Sequence, residues 1–195
     1  MAAGTHVDGL PELGRTLYGP TQDIPSSFAA TILLEGVEKE FPDIRRGQSA
    51  GVKVQSSGLK RVAVLMRNAG AATVNAGDVV VMETAYFGRR HNGKSGSAGI
   101  AVAGVIDPLL NSLGCRVGDM CWVFVEGPTE VNKATGDVTQ GNRLLCTNDG
   151  KAAEYDSTPD DAAEAQQNSL LTFGTVMETT TTDPAYCLAY LRKTW

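Results

Sequence analysis

The sequence predicts an all-β protein, an antiparallel β-barrel or sandwich with an extended N-terminal arm. From Arg61 onward, short apolar runs alternate with turn residues, and few stretches between them are long enough for a helix of about ten residues. Glycine supplies 22 of the 195 residues, above its usual share of about 7%, which indicates many tight turns. Short strands joined by short connections favour an antiparallel sheet over a doubly wound one.

Seven runs of about 4 to 8 residues are rich in apolar or β-branched side chains and are predicted to be strands. They span residues 62–66, 79–82, 100–106, 120–125, 143–146, 170–177 and 186–191. Three of them directly follow a Gly-Asp or Gly-Asn pair, which begins at Gly77, Gly118 or Gly141. Glycine supplies the positive φ of a tight turn, and Asp or Asn hydrogen-bonds the backbone two residues on. We therefore predict that these pairs are structural turns and that their aspartates are not catalytic.

The first 59 residues are predicted to form an arm and linker, and residues 60–195 the β domain. Glycines and prolines recur at short intervals within residues 1–25, which prevents a continuous helix and favours an extended surface segment. Residues 26–41 fit either a capped helix or a strand, and the sequence leaves both open. Residues 45–58 indicate a polar loop. We expect the β domain to fold without the arm, so that truncation before Gly47 leaves it soluble.

Composition argues against a membrane protein and a secreted one. The chain has 17 basic and 22 acidic residues, a formal net charge of −5. Its longest apolar runs are far shorter than the about 18 residues of a spanning helix, and its first residues lack the basic and apolar regions of a secretion signal. We therefore expect a single domain that crosses no membrane and is used without export.

The charges are unevenly distributed along the chain. Residues 45–94 contain nine basic residues against two acidic ones, a net +7, which leaves −12 on the remainder. Strand alternation scatters such charges over both faces of a sheet, so the segment does not by itself define a basic patch. Nucleic acid binding is not favoured, because aromatic residues are not interleaved with the basic ones and the whole domain is acidic.

The cysteines and histidines do not indicate a metal or catalytic site. Cys115, Cys121, Cys146 and Cys187 form no Cys-x-x-Cys pair, and His6 and His91 lie far from them in sequence. A structural zinc site is therefore improbable, and four free, partly buried thiols are expected. Two histidines leave little room for Ser-His-Asp or Cys-His catalysis. We assign no catalytic, cofactor-binding or metal-binding residue and expect a protein that is not an enzyme.

One segment matches a chemical motif. Residues Gly88 to Ser95 fit the G-x-x-x-x-G-K-[ST] pattern of a phosphate-binding loop and follow an apolar run. A working loop of this kind opens directly into a helix whose N-terminus faces the phosphate, whereas residues 96–99 are Gly, Ser, Ala and Gly, followed by a strand-like run. Asp107 ends the next apolar run, as the magnesium-binding aspartate of such a protein would. It is too close to Ser95 in sequence for a helix and a crossover connection to lie between them. We favour a mobile hairpin loop and keep a nucleotide site as the alternative.

The order of the apolar runs and turns carries a family resemblance. Residues 173–178, Phe-Gly-Thr-Val-Met-Glu, precede a Thr-rich acidic turn at 179–183 and a last apolar strand at 188–191. Before them come, in order, the runs at 78–81 and 100–105, the Gly118-Asp119 turn with the 123–127 run, and the segment 140–144. This series resembles the small β-barrel head decoration, or cement, proteins of tailed bacteriophages over about residues 60–195.

The resemblance implies a virion structural protein without catalytic residues. Such a protein is made in the host cytoplasm, lies on the outer surface of an icosahedral capsid, contacts the major capsid protein and associates with itself, commonly as a trimer. Neither nucleic acid nor a membrane is an expected partner, and no cofactor is implied. Two alternatives stay open: another phage structural module, such as a tail or head-fibre part, and an enzyme that binds nucleotides at Gly88–Ser95.

Overall fold

A computed structural model describes residues 11, 13–17, 34–43, 58–86, 88–94, 101–155, 162–180, 186–193 and 195. Within them lie ten strands: β1 Glu38–Pro42, β2 Lys60–Asn68, β3 Val79–Val81, β4 Arg90–His91, β5 Val102–Ile106, β6 Met120–Asn132, β7 Arg143–Cys146, β8 Ala152–Glu154, β9 Thr172–Val176 and β10 Tyr186–Leu191. The helix α1 spans Ala162–Leu171, and a short 3-10 turn spans Thr84–Tyr86.

The ten strands form one open sheet. Its hydrogen-bonded path runs β1-β2-β6-β10-β9-β7-β8, while β5 pairs with both β6 and β3, and β4 pairs with β2. Among the described strand pairs, β2 and β4 are parallel and the others are antiparallel. The prediction of an antiparallel all-β fold is therefore confirmed.

Strand β6 belongs to both halves of this sheet. Its first part, Met120 to Glu126, pairs with β2, and its second part, Gly127 to Asn132, pairs with β10. Gly127 lies at the junction with a φ of +91°, and a Cβ built there would be 2.6 Å from the carbonyl oxygen of Lys60. The strand therefore changes partners where a glycine allows both the backbone turn and the close approach of β2.

Alternate residues of the central strands face two separate cores. On β2, Leu65 faces one core and Met66 the other; on β6, Trp122 and Cys121 divide in the same way. We call the larger the main core: it includes Leu17, Ala63, Leu65, Trp122, Phe124, Val131, Leu144, Phe173, Val176 and Leu191. The second core contains Val64, Met66, Val74, Val80, Met82, Ala103, Ile106, Leu110, Cys115, Cys121, Val123 and Val125.

The two cores explain the sandwich-like character of the open sheet. The main core contains side chains from both halves of the path, so the halves fold toward each other and enclose it. The second core lies on the opposite face of β2 and β6, where the segments around Val74 and Cys115 cover it and pair with each other. Because both faces of β2 and of the first part of β6 are covered, each strand contains a continuous apolar run instead of alternating polar and apolar residues.

Asn68, fully buried at the end of β2, holds this cover in place. Its side-chain Nδ2 donates to the carbonyl oxygens of Ala72 and Cys115, each at 2.9 Å, and its Oδ1 accepts from the backbone N–H of Gly70 at 3.0 Å. Three of its possible hydrogen bonds are thus made to backbone groups of the turns on either side.

The seven predicted strands agree with the structure apart from their ends. Residues 170 and 171 end α1 rather than begin a strand, and the predicted strand at 120–125 continues to Asn132. The three predicted Gly-Asp and Gly-Asn turns are confirmed: Gly77, Gly118 and Gly141 have φ values of 77°, 88° and 89°, and each is followed by its strand.

Strands β4 and β8 were not predicted, and for β1 the sequence left helix and strand open, because these three segments lack an apolar run. Strand β1 reads Glu-Lys-Glu-Phe-Pro with alternating exposure, as an edge strand does. Strands β4 and β8 have two and three residues. In the segment 26–41, whose conformation the sequence left open, residues 38–41 are strand and residues 26–33 lie outside the described part. The predicted loop at 45–58 is also outside it, except for Gly58.

The described residues of the first 59 pack against the sheet. Leu17 exchanges two backbone hydrogen bonds of 2.8 Å with Met120, and the indole Nε1 of Trp122 donates to the carbonyl oxygen of Pro11 at 2.8 Å. Phe41 of β1 contacts Trp122 edge to face, with 5.0 Å between ring centroids. A truncation before Gly47 would remove all three contacts, so we expect the remaining chain to be less stable; that it folds unaided is still a prediction. The division at residue 60 stays a prediction.

We expect Gly127→Ala to destabilise the protein much more than Gly141→Ala. Both glycines have a φ near 90°, but a Cβ at Gly141 would have open space, whereas one at Gly127 would overlap the backbone of β2. The left-handed backbone costs each alanine variant about 1 kcal/mol, and the overlap at Gly127 adds about 1–3 kcal/mol. Chemical denaturation measures the free energy of unfolding of both variants. Equal losses of stability would show that the close approach of β2 to Gly127 tolerates a side chain.

Candidate functional site

The segment that matches a phosphate-binding motif is tied to the sheet in residues 88–94. Arg90 and His91 form β4, which pairs with the end of β2. The backbone N–H of Arg89 donates to Tyr86 O at 3.0 Å, that of Asn92 to Val81 O at 2.9 Å, and that of Gly93 to the His91 ring at 3.2 Å. In a phosphate-binding loop such N–H groups point at the ligand, whereas these three donate hydrogen bonds to other groups of the protein. Ser95–Ile100, where a helix would begin, lie outside the described residues.

The lysine of the motif is paired with a buried aspartate. Lys94 Nζ is 2.6 Å from Asp78 Oδ2, and the side chain of Asp78 is 4% exposed. The backbone N–H of Asn75 donates to the same oxygen at 2.7 Å, and Asn132 Nδ2 donates to Oδ1 at 2.9 Å. Asp78 therefore joins its own turn to the end of β6 and to Lys94, which agrees with the structural role predicted for this aspartate.

Asp107 has a similar structural position. Its carboxylate accepts hydrogen bonds from the backbone N–H groups of Leu109 and Gly14, and it is completely buried. These contacts cap the turn after β5 and hold an N-terminal residue against it. Asp107 thus has a structural role in the segment where a nucleotide site would need a magnesium-binding aspartate.

Four of the described side chains in the basic segment form ion pairs with three acids. Arg45, Arg46 and Lys53 lie outside the described residues. Of the others, Lys60 pairs with Glu40 at 2.8 Å, and Arg61 is buried with its guanidinium 4.0 Å from the Phe124 ring centroid. Two more, Arg67 and Arg90, share one carboxylate, as described next. The described basic side chains therefore do not make one continuous charged surface.

A buried ion-pair group centres on Glu35. One of its oxygens accepts from Arg67 Nε and the other from Arg90 Nε, the latter at 2.9 Å, and its side chain is 3% exposed. Arg67 also donates to the carbonyl oxygen of Gly118, and the Arg90 guanidinium lies 3.8 Å from the Tyr86 ring centroid. The group connects the turn before β1 with β2 and β4. Sequence reasoning missed it because the partners are 32 and 55 residues from Glu35.

All four cysteines are buried free thiols, as predicted. Burial raises the pKa of Cys146 to about 12 and that of Cys187 to about 11. The pKa of Cys121 is also raised, chiefly by its hydrogen bond with Cys115 and by burial, with smaller contributions from the charges of Asp107 and Asp119. These groups are therefore protonated thiols at neutral pH.

The fold brings one histidine next to two of these cysteines. Donor atoms of His91, Cys115 and Cys121 lie within 4.8 Å of one another, and all three residues are buried. Burial lowers the pKa of His91 to about 3, so its ring is neutral. The sequence argument against zinc relied on the distance of the histidines from the cysteines along the chain, and that distance was a poor guide to the fold.

The comparisons with known proteins add no family assignment. A scan against protein-family models matched none, and a search of curated proteins found no match. Within the described residues, no helix is both long and apolar enough to cross a membrane.

We expect the protein to show no heat of binding when titrated calorimetrically with MgATP or MgGTP, because Lys94 and three backbone N–H groups of the motif already have partners. Lys94→Ala is expected to lower stability, since it leaves the buried Asp78 without its cation. The matched control is Lys151→Ala, because Lys151 pairs with the exposed Asp149 at 3.3 Å and should matter little. Micromolar binding that is lost in Lys94→Ala would favour the nucleotide site.

Glu35→Gln is expected to reduce the free energy of unfolding by about 3 kcal/mol, because it leaves two guanidinium groups without their anion. That is the lower end of the range for buried pairs, since Arg90 keeps 23% of its side chain exposed. Glu40→Gln, which removes the exposed pair with Lys60, is the control and should change little. Urea denaturation compares the two, and a loss no larger than in the control would refute the central role of Glu35.

Proposed function

We propose that this protein is a virion structural protein that decorates and stabilises the outer surface of an icosahedral phage capsid. The observation that carries the proposal is the anchoring of the N-terminal segment. Leu17 pairs with Met120 through two backbone hydrogen bonds, and Pro11 accepts from Trp122. A segment fixed to a rigid β body at these points suits a protein that links neighbouring subunits of a shell. The family resemblance of the sequence points to the same role.

An exposed apolar loop offers a surface for such a contact. Leu113 is 64% exposed and Val117 50%, and both lie on the segment that covers the second core. Cys115 between them is completely buried, and its backbone pairs with Val74. Two apolar side chains held outward on a fixed loop suit a partner surface, since their burial on binding would be favourable at little ordering cost.

The proposed partners are the major capsid protein and other copies of this chain, with a trimer as the expected oligomer. A compact body buries only a modest area on its host surface. The body, its arm and the neighbouring copies in an oligomer can each attach weakly to the shell. Together they bind strongly, because each later contact forms at a high effective concentration. In the same way, a large number of modest contacts on each particle would raise the stability of the shell.

The test is binding to empty capsids assembled from the major capsid protein of the same virus. We expect the full chain to bind and to raise the temperature at which the capsids rupture. Deletion of residues 1–10 keeps the anchor at Pro11 and Leu17, so the variant should remain folded by circular dichroism while binding more weakly. If the full chain binds no capsid of its virus, the proposal is wrong.

A pair of surface variants tests the apolar loop separately. Leu113→Ser combined with Val117→Ser should leave the fold intact and weaken capsid binding, whereas Leu170→Ser, on the exposed side of α1, is the control and should bind normally.

Electron microscopy of labelled virus particles shows where on the particle the protein lies. Label on the capsid shell supports decoration, and label confined to the tail or to fibres favours the other structural module.

A further inference from the structure

One group of side chains remains without a role: His91 on β4, Cys115 in the segment before β6, and Cys121 on β6. It combines one imidazole and two thiols, all completely buried, with their donor atoms within 4.8 Å of one another. We propose that these three side chains bind a thiophilic divalent cation, with Zn²⁺ as the physiological ion. The inference is independent of the proposed capsid role.

The spacing of the three donor atoms is close to that of a zinc site. With Zn–S bonds of about 2.3 Å and Zn–N bonds of about 2.0 Å in a tetrahedral arrangement, neighbouring donors lie about 3.5–3.8 Å apart. A separation of up to 4.8 Å therefore closes with side-chain movements of about an ångström. His91 comes from a different part of the chain than the two cysteines, and a bound ion would hold β4 against the segment that contains them.

The ring of His91 supplies a second, independent observation. Its Nε2 atom is buried and has no hydrogen-bond partner among the described residues, whereas Nδ1 accepts from the backbone N–H of Gly93 at 3.2 Å. A buried polar atom without a partner is unfavourable, and a metal ion would provide one. Binding through Nε2 moves the ring proton to Nδ1 and costs the Gly93 hydrogen bond, which at 3.2 Å is at the long end of the usual range.

Charge balance selects a divalent ion. Binding replaces two thiol protons, which leave to solvent, with one cation, so that two thiolates, a neutral imidazole and Zn²⁺ form an assembly without net charge. A monovalent ion such as Cu⁺ would leave one negative charge uncompensated in the same buried place, which is costly.

The surroundings favour a soft metal over a hard one. Met66 lies opposite Cys121 in the pairing of β2 with β6, and Met82 lies opposite His91. Both methionines belong to the second core with the two cysteines. Thiolate and imidazole donors in an apolar setting suit zinc and related ions, whereas calcium and magnesium require several oxygen ligands.

The first experiment uses the full chain, unfolded with a chelator and refolded with or without metal. We expect the Zn²⁺ form to hold one ion per chain after gel filtration and to unfold at a higher temperature than the metal-free form. Refolding with Co²⁺ should produce the intense absorption of thiolate-to-cobalt charge transfer. Absence of both retained zinc and that absorption would overturn the proposal, as would exclusive binding of Cu⁺.

Matched cysteine variants locate the site. Cys121→Ala should lower zinc affinity by more than about a hundredfold, because even residues that only support a ligand account for about 10–100-fold. Cys146→Ala and Cys187→Ala remove equally buried thiols outside the group and should bind zinc as the wild type does. If all three variants retain the ion, the assignment is wrong. Should Cys121→Ala fail to fold, the cobalt spectrum of the wild type decides whether thiolates bind the ion.

Discussion

The pairing of β6 with two different partners is the constraint on which the rest of the structure depends. Its first part pairs with β2 and its second part with β10. One continuous strand therefore belongs to both halves of the sheet, and the halves cannot separate unless part of β6 loses its hydrogen bonds. The close approach of β2 at Gly127 fixes where the change of partner occurs. The main core forms because this bend directs both halves toward the same interior.

Covering both faces of the central strands creates the need for internal charge and hydrogen-bond pairing. A sheet with one wet face can leave its polar side chains in water, but here Asn68 and Asp78 are buried beside the turns that cover the second core, and Glu35 is buried in the turn before β1. Each is held by several partners from different elements. A buried polar side chain with all its partners links distant segments in one arrangement, and the same group is strongly destabilising once a partner is lost.

The segment around β4 shows how a chemical motif can be a structural one. Its glycines and lysine match a phosphate-binding pattern, yet Lys94 neutralises Asp78, and the adjacent Arg90 shares Glu35 with Arg67. In the same strand, His91 enters the second core beside two thiols. A motif is defined by residue types at fixed spacing, whereas its chemistry depends on where the backbone N–H groups point, and here those of Arg89, Asn92 and Gly93 point into the protein.

Local patterns in the sequence determined the all-β class, the approximate place of seven strands and the glycine turns before β3, β6 and β7, because apolar runs and positive-φ glycines act within a few residues. They left helix and strand open for β1, whose polar residues become a strand by pairing with β2. Only the tertiary structure joined Glu35 with Arg67 and Arg90, and His91 with Cys115 and Cys121. Such groups depend on register and on loop closure over tens of residues, and no local spacing in the sequence encodes either.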